Sequence, residues 1–286
     1  MWIIFAFASA LFAGITAVLC KIGIKNTDSN VATAIRTIII LIFSWGMVFI
    51  VGSQTMIGGI NGKTLLFLIL SGMATGGSWL CYFKALQYGD VNKVTPIDKS
   101  STVMTILLAF FILGESLSRN KIIAILSIGF GTYLMITKKQ VSHKKISNKW
   151  MVYAVFSAIF ASLTSILGKI GIQGIESNLG TAIRTIIVLI MAWVIVFVSG
   201  KQKEIKKIDK KSMLFLCLSG ITTGSSWLCY YKALQDGQAS IVVPVDKLSI
   251  VVTILFSYLF LKEKLTMKSF IGLCLIIAGT LLLLIK

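Results

Sequence analysis

Histidine occurs once, at His143, proline twice, at Pro96 and Pro244, and acidic residues only ten times in 286 positions. A single histidine, placed in a lysine-rich link, leaves no Ser-His-Asp set, no Cys-His pair inside an apolar run and no His-Glu metal motif, so an enzyme is not expected. The five cysteines, Cys20, Cys81, Cys217, Cys229 and Cys274, all fall inside apolar runs and read as small buried hydrophobes. Neither their spacing nor any histidine partner makes a metal site or a disulfide, and no cofactor is expected. Charged residues are 13% of the chain against 56% hydrophobic, with a mean hydropathy of +0.91. A soluble domain carries about a quarter charged residues; this composition is that of an integral membrane protein. The net charge of +18 does not point to nucleic acid, because the lysines lie in short links without interleaved aromatics. They read as topogenic charges and lipid-headgroup contacts.

What is present is a sequence written twice. Lys21-Ile22-Gly23-Ile24 returns as Lys169-Ile170-Gly171-Ile172, and Ala34-Ile35-Arg36-Thr37 as Ala182-Ile183-Arg184-Thr185, at one offset of 148 residues. Ser78-Trp79-Leu80-Cys81-Tyr82 matches Ser226-Trp227-Leu228-Cys229-Tyr230 at that offset, as Pro96, Asp98, Lys99 and Ser101 match Pro244, Asp246, Lys247 and Ser249. The first apolar segment matches the sixth and lacks a basic leader, so it is expected to be a structural helix rather than a cleaved signal.

Apolar runs of about 20 residues read as membrane spans. They lie near 2–20, 31–51, 63–87, 94–113 and 120–137, then 150–168, 178–199, 212–235, 242–261 and 268–285. The predicted fold is an all-α integral membrane protein of ten transmembrane helices, with repeats at 1–138 and 150–286 joined by a basic linker at 139–149. Few turn residues interrupt the runs, which excludes a membrane barrel of short alternating segments. Five spans per repeat is an odd number. The copies must then enter the membrane from opposite sides, as a 5+5 inverted repeat.

The links after odd spans hold Lys21, Lys25, Lys93, Lys138, Lys139, Lys144, Lys145, Lys149, Lys201, Lys203, Lys206, Lys207, Lys210, Lys211, Lys262, Lys264 and Lys268. The even links and the C-terminus hold Lys63, Arg119, Lys121, Lys169 and Lys286, a tally of 17 against 5. The positive-inside rule predicts cytoplasmic odd links and extracytoplasmic termini in a multi-pass plasma-membrane protein.

The chain resembles the drug/metabolite transporter superfamily, in particular EamA-type transporters with two tandem five-helix domains. The likeness rests on Lys21, Arg36, Tyr82-Phe83-Lys84-Ala85-Leu86-Gln87, Pro96 and Leu113-Gly114-Glu115-Ser116-Leu117-Ser118. The second copy supplies Lys169, Arg184, Tyr231-Lys232-Ala233-Leu234-Gln235, Pro244 and Leu261-Lys262-Glu263-Lys264-Leu265. Two features depart from the family: Lys262 replaces the usual glycine, and the charges put the termini outside where many tandem relatives hold them inside. The resemblance implies a central cavity between the repeats, lined by the first, third and fourth helices of each. It implies a secondary transporter of a small organic metabolite or drug-like solute working by alternating access, or alternatively a flippase for a lipid-linked or phosphorylated metabolite.

Charged residues inside spans are costly, about 2.5–3.5 kcal/mol at the centre, and mark function by default. Here they are Arg36, Lys84, Asp98, Lys99, Arg184, Lys232, Asp246 and Lys247. Two readings stay open. Asp98 pairs with Lys84 or Lys99, and Asp246 with Lys232 or Lys247, as static locks between helices; or such pairs open and re-form as gates or coupling groups. The first helix carries no carboxylate, so proton coupling would have to use Asp98 or Asp246. The surrounding lysines favour ionised carboxylates acting as gate partners. Ser78, Trp79, Tyr82, Ser226, Trp227 and Tyr230 are the expected cavity residues, with rings able to stack on an organic solute or a cation. Gly72, Gly76 and Gly77 leave room beside them for a helix or a ligand. The expected partners are thus a small-molecule substrate, the bilayer and a coupling ion, the proton among them. Two repeats in one chain permit a monomer.

Overall fold

The computed structural model describes residues 1–24, 27–88, 97–98, 100–134, 149–261 and 266–285, with backbone alone at 21, 83, 86, 87 and 257–261. The first repeat runs α1 Trp2–Gly23, α2 Ser29–Val51, α3 Gly62–Tyr88, α4 Ser101–Leu113 and α5 Arg119–Leu134. The second runs α6 Lys149–Ile172, α7 Ser177–Val198, α8 Lys210–Asp236, α9 Ala239–Lys247, α10 Ser249–Leu261 and α11 Met267–Leu282. The ninth span is α9 followed by α10, so the repeats correspond span for span in a ten-helix membrane protein. Seven candidate spans are long and apolar enough to cross a bilayer by length and composition.

Polar side chains start the helices where the apolar runs begin. Asp28 accepts from the Asn30 and Val31 amides at α2, Glu176 from the Leu179 amide at α7, and Thr266 from the Ser269 amide at α11. Asp209 caps α8, and its bonds from the Ser212 hydroxyl and amide hold its carboxyl below the usual carboxylate range. Gly52 and Gly200, two-fold mates, close α2 and α7 at φ +78° and +67°.

Helix packing does not follow the repeats. α1 lies against α8 and α10, and α2 against α8; their two-fold mates are α6 against α3 and α4, and α7 against α3. Each compact bundle therefore takes its first two helices from one repeat and its third and fourth from the other. One bundle is α1, α2, α8, α9 and α10; the other is α6, α7, α3 and α4. They meet through α2–α7 and α4–α9, with α5 and α11 paired across the outside. Close approach inside each bundle needs glycine. A Cβ at Gly72 would stand 2.7 Å from Cβ of Ile187, and one at Gly220 the same distance from Cβ of Ile39. Ile187 and Met191 of α7 fill the space at Gly72 and Gly76, and Phe160 of α6 packs beside Gly77. The small residues of α3 thus admit neighbouring helices.

Candidate functional site

Asp246 sits two residues before the break at Leu248 that separates α9 from α10. The ninth span begins at Ala239, three residues earlier than its apolar run predicts, so Asp246 lies about 10 Å along it rather than one turn from its end. It accepts a 2.6 Å hydrogen bond from Ser9 of α1, whose hydroxyl is 3.2 Å from that of Ser226. The mate is built alike: Ser157 donates to Asp98 at 2.7 Å and lies 3.3 Å from Ser78. Each carboxylate thus joins the helices of its own bundle through the serine of the other repeat's first helix. Among the described residues, Lys84, Lys232 and Lys247 make no ion pair with Asp98 or Asp246. Lys232 bonds Asp236, four residues on and on the same helix face, and Lys84 is exposed. Lys247 is half-buried, and Lys99 and Pro96 lie outside the described residues.

The arginines occupy equivalent places with unequal surroundings. Arg184 is 2% exposed; its Nε donates to Ser71 at 2.9 Å and its Nη2 to Thr75 at 2.5 Å. Its guanidinium carbon lies 5.1 Å from the Trp227 ring and 4.6 Å from the Tyr231 ring, both on α8 of the opposite bundle. Arg36 is half-buried, donating from Nη2 to Thr223 at 2.7 Å and from Nη1 to the Cys20 sulfur at 3.2 Å. Gly168 replaces Cys20 in the second copy, and a Cβ there would meet the Tyr231 ring at 2.7 Å.

At the face carrying the termini, two charges from one bundle hold the α8–α9 link of the other. Gly114, at φ +66°, ends α4 and turns the chain into Glu115. The buried Glu115 carboxylate accepts from the Ala239 amide at 2.6 Å, the Ser240 amide at 3.0 Å and the Ser240 hydroxyl, supplying the acceptor the first turn of α9 lacks. Lys121 stands 3.9 Å away and donates to Gln238 at 3.1 Å. Lys169, near the end of α6, donates to the carbonyls of Leu234, at 2.9 Å, and Gly237. A cleft of about 550 Å³ lies here, lined by both charges together with Lys63, Gln173, Asp236 and Gln238. Lysines and carboxylates face each other across it.

The two membrane faces differ. At the terminal face the bundles touch through α6–α8, α6–α9 and α7–α8; the mates α1–α3 and α2–α3 are not made to that extent among the described residues. The half-burial of Arg36 and the full burial of Arg184 follow the same asymmetry.

The aromatic set is divided. Trp79 packs against the buried cluster of Val31, Ala34, Ile35, Ala192 and Val196, whereas Tyr82 packs against that of Ala85 and Ala154. Trp227 and Tyr230 join the main core, with the Tyr230 hydroxyl 2.7 Å from that of Ser165 across the bundle interface. Ser78 and Ser226 are buried at helix contacts, donating to the Ser157 and Ser9 carbonyls at 3.1 Å each. Ser71, Thr75 and Lys121 are not among the site residues expected from sequence, and Glu115, Lys169 and Tyr231 enter there only through the family likeness. The signal for the hydroxyls was present: Ser71 and Thr75 recur as Ser219 and Thr223. Among the described residues no cluster of potential ligands could hold a metal.

Comparison with known proteins gives a consistent result. The EamA-like transporter family matches residues 1–137 and again 148–285. An uncharacterized transporter in the cobO 3' region of Sinorhizobium sp is 44% identical over 138 residues, 48% of this chain and 98% of that one, so the relative has the length of one repeat. An uncharacterized transporter of Archaeoglobus fulgidus is 23% identical over 79% of this chain and 78% of its own. A solved crystal structure with 14% identity shares the fold, with a TM-score of 0.80 over 99% of this chain and 96% of that one.

Proposed function

The chain belongs to the EamA-like transporter family, and from that premise we propose a secondary transporter that moves a small organic metabolite or drug-like solute by alternating access between the two mixed bundles. The observation that carries this reading is the unequal contact of the bundles at the two faces. Two-fold-related segments in different arrangements are what an alternating cycle requires, each repeat adopting in turn the arrangement of the other. Glu115 and Lys169 act as the latch of the terminal face, because they cross between the bundles. Ser9–Asp246 and Ser157–Asp98 hold each bundle together. In this reading the structure is closed toward the termini and open toward the basic links.

The test is flux in liposomes holding the purified protein. Counterflow of water-soluble metabolites, each against its own labelled form, should reveal a saturable solute. Movement of lipid-linked substrates alone would make the protein a flippase.

We also place the termini outside the cell and the links at 138–149 and 200–211 in the cytoplasm. On a background without native cysteines, single cysteines at Ser142 and Lys203 should resist an impermeant thiol reagent in intact cells and react after permeabilisation. Ser142 lies outside the described residues; Lys203 is exposed beyond α7. Labelling of both from outside overturns this orientation.

A further inference from the structure

We propose that Arg36 and Arg184 are the paired anion subsites of the transport pathway and take the carboxylate of an organic monocarboxylate, a substrate class that rests on the transporter reading above. Neither guanidinium has a carboxylate within ion-pair distance among the described residues. Arginine remains charged in any protein environment, and a cation deep in a membrane bundle is retained at a cost unless something balances it. The balance here is incomplete in both copies. Nη1 of Arg184 and Nε of Arg36 are buried N–H donors without a hydrogen-bond partner. The partners that do exist are neutral hydroxyls, ring faces and, for Arg36, a thiol sulfur, itself a poor acceptor.

The surroundings define the ligand further. Arg184 is fixed within one bundle by Ser71 and Thr75 while its guanidinium lies on Trp227 and Tyr231 of the other, so the bundle interface passes through this point. Parting of the bundles there lifts the rings and uncovers the guanidinium edge that Nη1 shares with Nη2. That edge matches a carboxylate, which a planar fork binds through two charge-assisted hydrogen bonds. Arg36, half-buried at the opposite face, is the less covered mate, and a carboxylate there takes the edge that Nε shares with Nη2 in place of the neutral Thr223 hydroxyl. One guanidinium per subsite balances one negative charge. The half-buried Trp227 indole offers an apolar, flat body a surface to stack on.

The experiment uses purified full-length protein in detergent at fixed ionic strength. Phenylacetate, indole-3-acetate and hexanoate are each compared with their own amide and the matching amine by the shift in thermal unfolding midpoint. At least one acid should raise the midpoint saturably where its amide and amine do not. Arg36→Lys, which keeps the charge but loses the fork, should raise the half-saturating concentration at least tenfold. If no acid exceeds its amide, or if Arg36→Lys binds the acid as the parent does, the assignment is wrong. Should the variant fail to fold, the acid-against-amide comparison on the parent protein decides alone. The two readings fail separately: acid-specific binding without flux of that acid in liposomes removes the transporter reading, whereas flux of amines without acid binding removes these subsites.

Discussion

Glu115→Ala should lower the stability of the detergent-purified protein by about 3–5 kcal/mol, the usual cost of deleting one partner from a buried charged network. The variant strips the acceptor from two backbone amides and a hydroxyl at the start of α9, and leaves the Lys121 ammonium beside an apolar gap. Because these bonds run between bundles, the loss should fall on the closed terminal face. A cysteine placed at Gln173, in the lining of the terminal cleft, should then react faster with an impermeant reagent than in the parent protein. Lys121→Met should cost less, since the ammonium is 3.9 Å from the carboxylate, outside hydrogen-bond range. Equal melting midpoints for Glu115→Ala and the parent, with unchanged Gln173→Cys labelling, would show that Glu115 is not a latch.

The spans were legible because bilayer thickness leaves a direct trace in the length of an apolar run. The apolar run starts the ninth span at 242, three residues after Ala239, because Ala239 and Ser240 join the helix through a carboxylate 124 residues away in sequence. Repetition told which residues are equivalent without telling which ones touch. Ser9 and Ser157 were visible as mates; that each faces the other repeat's aspartate is a property of mixed bundles, which no local pattern encodes. Lys232 shows a related limit: it has Asp236 at helical spacing on its own chain segment, a nearer partner than Asp246, while Lys99 lies outside the described residues. Gly72 and Gly76 were ambiguous between ligand and helix approach, and Ile187 and Met191 resolve them as helix contacts.

Asp98→Asn and Asp246→Asn should each impair transport while leaving its pH profile unchanged. Each aspartate accepts a short bond from a serine that is 0% exposed, and hydrogen bonds to a charged group contribute about 1.5–3 kcal/mol. Asparagine keeps an acceptor oxygen for that serine but loses the charge. The expected result is a weaker bundle, seen as a lower melting midpoint and reduced flux. Asp246→Ala should do more, because Ser9 then retains only its neighbour Ser226 at 3.2 Å. These carboxylates bind within a bundle, and motion of the bundles past each other leaves their partners in place, so no step of the cycle obliges them to take up or release a proton. If instead Asp246→Asn still exchanges solute but no longer responds to a pH gradient, the carboxylate carries the coupling proton, and its bond to Ser9 must break and re-form in every cycle.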